Sequence, residues 1–316
     1  MKIAVLDAAT LGDDISLSCL NEFGDCDIYN STDASLVKER IAQTDVVILN
    51  KVKLNETNLC DAKNLRLICV CATGFDNIDV DYCRKRGIAV CNVEGYSSHS
   101  VAQATVGMVL SLWSHLAEYN NFVTSGEYSK SGVANRLTPV YHEIWGRTWG
   151  IVGYGNIGSE VGDVAKALGC RVIVCKRTPI KDAECVDIDT LCRESDIITV
   201  HTPLSDGTRH LINEDRLSKM KNHAVLVNTA RGLVTDEAAV AKAVSEGKIG
   251  AFGTDVYSLE PLSEESPLYN IKDLDNVMLT PHMAWGAQES RKRCISEVCE
   301  NIKDFINGGT KGRVDI

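Results

Sequence analysis

A glycine-rich loop at residues 153–158, with the sequence Gly-Tyr-Gly-Asn-Ile-Gly, constrains the fold of this chain more than any other feature. It follows an apolar run at 149–152 and opens a helical pattern, and a second apolar run follows at 171–175. A strand, a glycine turn, a helix and a second strand in that order form the first unit of a parallel sheet that binds a dinucleotide. A glycine turn without a ligand is the less favoured interpretation, because all four parts are present.

Each glycine of the loop has its own structural task. Gly153 makes a tight turn, Gly155 lets the backbone approach a pyrophosphate, and Gly158 allows the helix to pack closely on the strand. Backbone N–H groups at the start of the helix then hold the phosphates. We therefore expect the whole loop to bind the cofactor, including its other members Tyr154, Asn156 and Ile157.

The segment after the run at 171–175 bears on the choice of cofactor. An acid usually binds the adenosine ribose of NAD at this place, but this chain has Lys176, Arg177 and Thr178. Two cations and a hydroxyl suit a ribose that carries a 2′-phosphate, and no carboxylate is present to repel it. We predict a preference for NADP(H), with NAD(H) also possible, since the two cations could instead be solvated loop charges.

Short apolar runs alternate with amphipathic segments along the chain, which is typical of α/β folds with parallel sheets. The runs predict strands at 3–6, 26–29, 46–49, 67–71 and 88–91, and again at 151–153, 171–175, 197–201, 224–228, 250–255 and 277–279. Two such successions fit two domains in 316 residues, at about 150 residues per domain. We predict two doubly wound parallel-sheet domains, Rossmann-like and flavodoxin-like, with a cleft between them.

Two helical patterns suggest how the domains are connected. Residues 97–119 predict one long helix, with Ser97 and Ser98 as caps, and residues 287–306 predict a helix after the last strand. We predict that residues 97–286 form the dinucleotide-binding domain. Residues 1–96 and 287–316 then form a substrate-binding domain into which it is inserted, and closure of the two domains would exclude water.

Composition excludes several classes of function. The chain has 33 Lys and Arg against 43 Asp and Glu, a net charge of −10, so we expect no nucleic-acid partner. The longest apolar helical stretch, 105–113, is shorter than the about 18 residues of a membrane span, and the N-terminus lacks a signal-peptide pattern. The 13 cysteines include no Cys-x-x-Cys, which favours reduced structural thiols in a cytoplasmic protein without a metal site.

Three reactive side chains follow predicted strands of the second domain, at the sheet edge where open α/β sheets bind ligands. They are Arg231, Glu260 and His282. A guanidinium binds a planar carboxylate in bidentate fashion, and an imidazole donates a proton to a carbonyl oxygen. An adjacent carboxylate favours the charged imidazole. Although each residue alone could be structural, together they predict the catalytic residues of a 2-keto acid reductase.

Several segments, in order, carry a resemblance to a known family. They are the segment Ala-Thr-Gly-Phe-Asp-Asn-Ile-Asp at 72–79, the helix start at 100–105, the glycine loop, and the segments 201–204, 228–232, 255–261 and 281–282. Over nearly its whole length the chain resembles the D-isomer-specific 2-hydroxyacid dehydrogenases. The segments at 50–51 and 281–285 are most similar to the glycerate dehydrogenase, or hydroxypyruvate reductase, branch.

The resemblance implies an activity, a set of contacts and a partner. The substrate would be a small 2-keto acid of the hydroxypyruvate or glyoxylate type, reduced to the D-2-hydroxy acid, and homodimers would form through the region from Ser98 to Tyr119. Substrate contacts are expected from Asn50, Lys51, Thr73, Gly74, Arg231, His282 and Trp285. Further cofactor contacts are expected from Thr105, His201, Thr202, Pro203, Thr208, Thr229, Ala230, Arg231, Asp255, His282 and Ala284.

Two other functions fit part of the pattern. The scaffold also resembles dinucleotide-sensing transcriptional corepressors, which keep the same three residues, but the acidic net charge and the lack of long disordered tails favour an enzyme. Among enzymes, phosphoglycerate dehydrogenase is the alternative, because Lys51 and Lys53 could meet a substrate phosphate. The lack of an additional regulatory domain counts against that alternative.

Overall fold

The computed structural model describes residues 1–178 and 180–316, which form two units. The first unit consists of Met1–Ser97 and Trp285–Ile316, and the second of Ser98–Ala284. The predicted boundaries, after residues 96 and 286, differ from these by one and two residues. The chain therefore leaves the first unit once and returns to it through its last helix.

The first unit contains a five-stranded parallel sheet with the strand order β2-β1-β3-β4-β5. With labels in chain order through both units, its strands are β1 (Lys2–Val5), β2 (Asp25–Ile28), β3 (Val46–Leu49), β4 (Leu67–Val70) and β5 (Ala89–Cys91). Its helices are α1 (Ala34–Ile41), α2 (Glu56–Leu59), α3 (Val80–Arg86) and α11 (Gln288–Ile306), with 3-10 helices at Ala8–Leu11 and Ser18–Glu22.

Helices cover both faces of this sheet. Successive residues of a strand face opposite sides, so Ile48 of β3 packs in one apolar cluster with Val298 of α11, whereas Leu49 packs in another with Ile41 of α1. All four residues of β3 are buried. Burial on both faces explains why such strands read as continuous apolar runs rather than alternating patterns.

The second unit contains a seven-stranded parallel sheet with the order β12-β11-β10-β9-β6-β7-β8. The strands are β6 (Thr148–Val152), β7 (Arg171–Cys175), β8 (Glu184–Cys185), β9 (Ile197–Val200), β10 (Val225–Asn228), β11 (Ala251–Thr254) and β12 (Val277–Leu279). The helices are α4 (Ser98–Trp113), α5 (Leu116–Thr124), α6 (Glu127–Ser131), α7 (Asn156–Ala167), α8 (Ile188–Glu194), α9 (Glu214–Lys219) and α10 (Glu237–Ser245), with 3-10 helices at Gly232–Val234 and Tyr269–Ile271.

Two features of the second unit differ from the predictions. The single helix predicted at 97–119 is two helices, α4 and α5, because His115 between them has a φ of 49°. A residue in this left-handed conformation ends a helix, and histidine adopts it more often than most residues other than glycine. Strand β8 was not predicted, since two residues are too few to show a pattern.

The 13 cysteines, all within the described residues, are free thiols, and seven of them are buried. Cys69 and Cys91 lie in the core between the first sheet and α11. Burial raises the pKa of both thiols, that of Cys91 to about 11, so they pack as small apolar groups. The cytoplasmic location inferred from cysteine usage stays a prediction.

Neither metal-binding clusters nor membrane helices were found in the described part of the chain. No group of three or more His, Cys, Asp or Glu side chains there is placed to hold a metal ion. No helix among those residues combines the length and the apolar character that crossing a membrane requires.

Candidate active site

The reactive residues of the second unit lie at one edge of its sheet, because the carboxyl ends of parallel strands meet at the same edge. Chain order reverses beside β6, which has β7 on one side and β9 on the other. Open α/β sheets bind their ligands at such a switch point. In spatial order, the strand ends carry His282 after β12, Asp255 after β11, Arg231 after β10, His201 after β9, the glycine loop after β6 and Lys176 after β7.

The structure brings Glu260 and His282 together. The Nδ1 atom of His282 lies 2.6 Å from Oε2 of Glu260, and the two side chains are 26% and 32% exposed. The other carboxylate oxygen of Glu260 accepts a hydrogen bond from the backbone N–H of Tyr257 at 3.2 Å. Because Nδ1 is engaged with the carboxylate, Nε2 is the ring atom that remains for proton exchange with a ligand.

A buried carboxylate holds the turn in which His282 lies. His282 has a φ of 51°, and such a conformation costs a residue other than glycine about 1 kcal/mol or more. Asp255, which is 1% exposed, accepts hydrogen bonds from the Thr280 hydroxyl at 2.6 Å and from the backbone N–H groups of Met283 and Ala284 at 2.8 Å. We expected Asp255 to contact the cofactor, but its carboxylate is enclosed and fixes the turn on both sides of His282.

Arg231 lies in a sharp turn that a buried amide supports. The Asn228 side chain has no exposed surface. It accepts a hydrogen bond from the Ala230 N–H at 3.0 Å and donates one to the Arg231 carbonyl at 2.9 Å. The next residue must be glycine, because a Cβ atom at Gly232 would lie 2.0 Å from the carbonyl carbon of Tyr257. Arg231 itself is half-buried, and its guanidinium donates a hydrogen bond to the Ala230 carbonyl at 2.8 Å.

The geometry of the glycine loop fits a dinucleotide. Gly153 has a φ of 88°, and a Cβ atom there would lie 2.6 Å from the carbonyl oxygen of His201. A Cβ atom at Gly158 would lie 2.2 Å from the carbonyl oxygen of Gly153. A Cβ atom at Gly155, in contrast, would meet no atom within 4 Å. Open space at Gly155, in front of the N–H groups that begin α7, is what a pyrophosphate requires.

His201 provides a second observation in favour of a bound group. Part of the residue reaches the surface, but both ring nitrogens are shielded from solvent and neither has a hydrogen-bond partner. Burial lowers the pKa of His201 to about 3, so the ring is neutral at physiological pH. Buried polar atoms nearly always have partners, and a ligand against the end of β9 would supply one. The neutral ring suits a positional role for His201 beside a ligand, and not proton transfer.

The other residues that we expected to contact the cofactor either support a neighbouring side chain or lie in a turn. Thr105 has no exposed surface, and its hydroxyl lies 2.9 Å from that of Thr229 and donates to the Val101 carbonyl at 2.8 Å. It therefore supports Thr229, and its contact with the cofactor stays a prediction. Thr208 donates to the Pro203 carbonyl at 2.7 Å and so closes the turn after β9 that also includes Thr202. Ala230 and Ala284 lie in the turns that present Arg231 and His282.

The cations after β7 lie beside the glycine loop. The Nζ atom of Lys176 donates a hydrogen bond to the backbone carbonyl of Tyr154 at 3.1 Å. Arg177 and Thr178 are exposed. All three side chains are therefore accessible to a ligand that follows the loop toward β7.

In the first unit, a buried carboxylate holds the residues expected to bind substrate. Asp7 is 5% exposed. Its carboxylate accepts hydrogen bonds from the backbone N–H groups of Asn50 at 2.9 Å, Lys51 at 2.6 Å and Val52 at 3.0 Å. Asn77 also donates to the Val52 carbonyl at 2.8 Å. The loop that carries Asn50 and Lys51 is thus fixed from both sides.

The remaining expected substrate residues are also held by the first unit. The Thr73 hydroxyl donates to the Val93 carbonyl at 2.9 Å, and the Thr73 carbonyl accepts from Asn92. These bonds fix the turn that continues to Gly74. Trp285 packs edge-on against the ring of Tyr96, with centroids 6.3 Å apart.

Sequence reasoning missed the residues that position these loops. Asp7 and Asn228 have their partners fixed by tertiary structure, and nothing in local spacing identifies them as supports. The one available signal is a polar residue directly at the end of a buried strand, as Asp7 is after β1 and Asn228 is in β10.

Comparison with known proteins identifies the family. A sequence model described as D-isomer specific 2-hydroxyacid dehydrogenase, NAD binding domain, matches residues 106–284. A hydroxypyruvate reductase of Blautia hydrogenotrophica is 32% identical over 317 residues, which cover 98% of this chain and 98% of that protein. This chain belongs to the D-isomer specific 2-hydroxyacid dehydrogenase family. A glycerate dehydrogenase of Methylorubrum extorquens is 34% identical to this dehydrogenase over 279 residues, 88% of each protein.

Solved structures share the whole fold of the dehydrogenase. An acyclic imino acid reductase in complex with NADPH and D-arginine superposes with a TM-score of 0.86 at 27% identity, covering 99% of this chain and 100% of that one. A D-lactate dehydrogenase from Aquifex aeolicus, complexed with NAD and lactic acid, superposes with a TM-score of 0.85 at 30% identity, covering 98% and 96%.

These matches confirm the predicted family and the fold of two parallel-sheet α/β domains. The dehydrogenase is a nicotinamide-dependent oxidoreductase that acts on the CH–OH group of small 2-hydroxy acids. The phosphoglycerate dehydrogenase and corepressor alternatives are not favoured.

The buried ring of His201 predicts a specific pH dependence of stability. Because its folded-state pKa of about 3 lies below the about 6.5 of an unfolded chain, the unfolded state takes up the proton first as the pH falls. Stability is therefore lost from about pH 6.5 down toward about pH 3, at up to about 1.4 kcal/mol per pH unit. Between about pH 7 and about pH 5, the free energy of unfolding of His201→Gln should therefore fall by about 2 kcal/mol less than that of wild type.

Urea denaturation at the two pH values measures this difference. His142→Gln, at an exposed histidine, is the matched control and should follow the wild-type pH dependence. Parallel loss of stability in wild type and His201→Gln would show that the His201 ring takes up its proton in the folded state.

Proposed function

We propose that this dehydrogenase reduces hydroxypyruvate, or a similarly small 2-keto acid, with Arg231, Glu260 and His282 as its catalytic residues. The contact between His282 and Glu260, 2.6 Å long, carries the proposal, since it provides an oriented proton donor at the end of β12. Arg231 follows β10, two strands away in the same sheet. The names of the relatives, hydroxypyruvate reductase and glycerate dehydrogenase, support the substrate class.

In the proposed reaction, a nicotinamide cofactor held by the glycine loop would supply the hydride for the carbonyl carbon of the substrate. Arg231 binds the substrate carboxylate in bidentate fashion and thereby fixes the carbonyl group. His282 donates the proton on Nε2 to the carbonyl oxygen, and Glu260 remains bonded to Nδ1 throughout. The Asp255 carboxylate keeps the His282 turn in place. In the oxidising direction the same imidazole accepts the proton.

The first unit would select the substrate. Lys51 presents an exposed ammonium on a loop fixed by Asp7, whereas Asn50 beside it is buried and its amide donates to the Thr10 hydroxyl at 3.1 Å. An ammonium suits a substrate with a hydroxyl or an anionic group beyond its carbonyl. Hydroxypyruvate has such a hydroxyl, whereas branched-chain keto acids have none. The same loop would also accommodate a phosphorylated keto acid. Direct assays with both substrates distinguish the two.

A substrate panel with variants tests the catalytic proposal. Hydroxypyruvate should be reduced with higher kcat/KM than pyruvate or 2-ketoisocaproate, which have no hydroxyl or anionic group beyond the carbonyl, and with higher kcat/KM than 3-phosphohydroxypyruvate. His282→Ala should lower mainly kcat, because the substitution removes the proton donor. Arg231→Ala should raise KM and lower kcat together, because the Arg231 guanidinium binds the substrate in both the ground state and the transition state. Each loss should be about 100-fold or more.

His142→Ala, at an exposed histidine, is the control and should retain wild-type rates. Steady-state assays over a range of pH add a second measurement, because proton donation by His282 makes the rate of reduction depend on pH. Wild-type kcat in His282→Ala would contradict the assigned role.

We also propose that the dehydrogenase prefers NADP(H). Lys176 lies against the glycine loop, and Arg177 and Thr178 beside it are exposed. One structural neighbour was solved with NADPH, which shows that the fold accommodates that cofactor. Two cations at the end of β7 would bind a 2′-phosphate through charge-assisted hydrogen bonds.

Replacing the nearest cation tests the cofactor preference. Lys176→Asp should lower kcat/KM for NADPH about 10- to 100-fold, the equivalent of one or two charge-assisted hydrogen bonds, and should favour NADH. Lys242→Ala, on an exposed pair with Glu214, changes the net charge elsewhere and should leave the NADPH to NADH ratio unchanged. A wild-type enzyme with higher kcat/KM for NADH than for NADPH would be inconsistent with the proposal.

We further propose a homodimer, through a surface that extends from the region first expected, Ser98 to Tyr119, as far as residue 148. Most of the predicted interface, Ser98 to Tyr119, is α4, whose residues Val109, Leu112 and Trp113 are buried within the second unit. None of residues 114–148, all of which the structure describes, is buried. This segment exposes seven large apolar side chains, and a second copy of the chain would cover them. They are Leu116, Val123, Val133, Leu137, Val140, Tyr141 and Trp145.

Light scattering after size exclusion tests the dimer. Wild type should have twice the 34.5 kDa mass of the chain. The double variant Leu137→Glu with Val140→Glu should be monomeric, because it would bury two charges in an apolar interface. Ile28→Glu, at an exposed apolar residue of the first unit, should remain dimeric. A monomeric wild type, or a dimeric double variant, would exclude this interface.

A further inference from the structure

The loop that carries Glu260 is held by a buried carboxylate outside the assigned catalytic residues. Glu237, the first residue of α10, is 8% exposed. Its Oε1 atom accepts the backbone N–H of Ser258 at 2.6 Å, and its Oε2 atom accepts the hydroxyls of Ser258 at 2.9 Å and Ser266 at 3.0 Å. One side chain therefore ties both ends of the segment 258–266.

The position of Glu237 shows that this side chain is not needed to cap its own helix. Asp236 is the N-cap of α10, and its carboxylate accepts the N–H groups of Ala238 and Ala239 at 3.1 Å. Glu237 is thus free to point toward the loop. Its place in the first turn favours a negative charge there, and three hydrogen-bond donors offset the cost of burying that charge.

The segment from Tyr257 to Glu260 connects this carboxylate to His282. Ser258 is bound by Glu237, and Glu260, two residues later, contacts Nδ1 of His282 at 2.6 Å. On the opposite side, the backbone of Gly232 is so close to Tyr257 that no Cβ atom fits between them. The backbone of Tyr257 and Ser258 is therefore held between the Arg231 turn and Glu237.

Other contacts of the loop are weaker constraints on Glu260. The Tyr257 hydroxyl donates to the Thr280 carbonyl at 2.8 Å, and burial, with the nearby carboxylates of Asp255, Glu260 and Glu237, raises the pKa of Tyr257 to about 12. Leu262 packs against the core, whereas Leu259 is 64% exposed. Loss of Glu237 should therefore loosen the loop around Ser258 without detaching the whole segment.

We propose that Glu237 is a positioning residue for the reaction, which holds Ser258 so that Glu260 stays within hydrogen-bond distance of His282. The inference rests on the proposed function. Glu237 acts through Ser258 and Glu260 and touches neither the substrate nor the cofactor. A displacement of about 1 Å in a catalytic group can lower a rate by about 100-fold, so a side chain that fixes the backbone two residues before Glu260 affects the rate indirectly.

The test compares Glu237→Ala and Glu237→Gln with Glu260→Gln in the full-length protein. Glu237→Ala should lower kcat with hydroxypyruvate about 10- to 100-fold, with little change in the Kd for NADPH. The pH at which its reduction rate falls to half should move in the same direction as in Glu260→Gln. Glu237→Gln should recover most of the rate, because an amide oxygen still accepts the Ser258 N–H. Glu246→Gln, on an exposed pair at the end of the same helix, should match wild type.

A second readout does not depend on catalysis. Hydrogen exchange in the cofactor-free protein should be faster at residues 257–266 in Glu237→Ala than in wild type, and unchanged in Glu246→Gln. Ser266→Ala removes one of the three bonds and leaves the carboxylate in place, so it should show a smaller effect even if Glu237→Ala folds poorly.

The outcomes separate this inference from the proposed function. If wild type reduces none of the 2-keto acids, the proposed function fails. If Glu237→Ala and Ser266→Ala both keep wild-type exchange at 257–266, or if Glu237→Ala is less stable but keeps the wild-type pH profile, the positioning role is overturned while the proposed function stands.

Discussion

Buried carboxylates that accept hydrogen bonds from loops distant in sequence hold the candidate site residues of each unit in place. Asp7 and Asp255 are 5% and 1% exposed, and each accepts three hydrogen bonds. A buried charge without partners would be strongly unfavourable, so each carboxylate is stable only while its loop stays in position. The loop that presents Lys51 in one unit and the turn that presents His282 in the other are fixed by the same kind of interaction.

The hydrogen bonds of these buried carboxylates are stronger than the many ion pairs on the surface. The pair of Arg171 with Glu184 is about half exposed on both sides, and such pairs contribute about 0 to 1 kcal/mol because water and salt screen them. The bonds of Asp255 are shielded from water and hold His282 in a left-handed conformation that its side chain would otherwise disfavour. A few enclosed groups therefore determine the geometry of the reactive residues.

The sequence predicts those parts of the structure that depend on local pattern. Strands β3, β7 and β12 have the predicted bounds, because a continuous apolar run is complete within a few residues. The break at His115, the burial of Thr105 and the support from Glu237 have no local signal. Each depends on a partner 20 or more residues away or on a backbone angle, and pattern within a window does not contain that information.

The order of strands in the second sheet separates cofactor selection from the proposed proton transfer. Lys176 follows β7 and His282 follows β12, with β6, β9, β10 and β11 between them. Adjacent strands lie about 4.8 Å apart, so the two strand ends are separated by about 24 Å. Substitutions at that distance, without shared partners, change free energies independently. The choice of phosphate at one end can therefore change without disturbing the carboxylates that position His282 at the other.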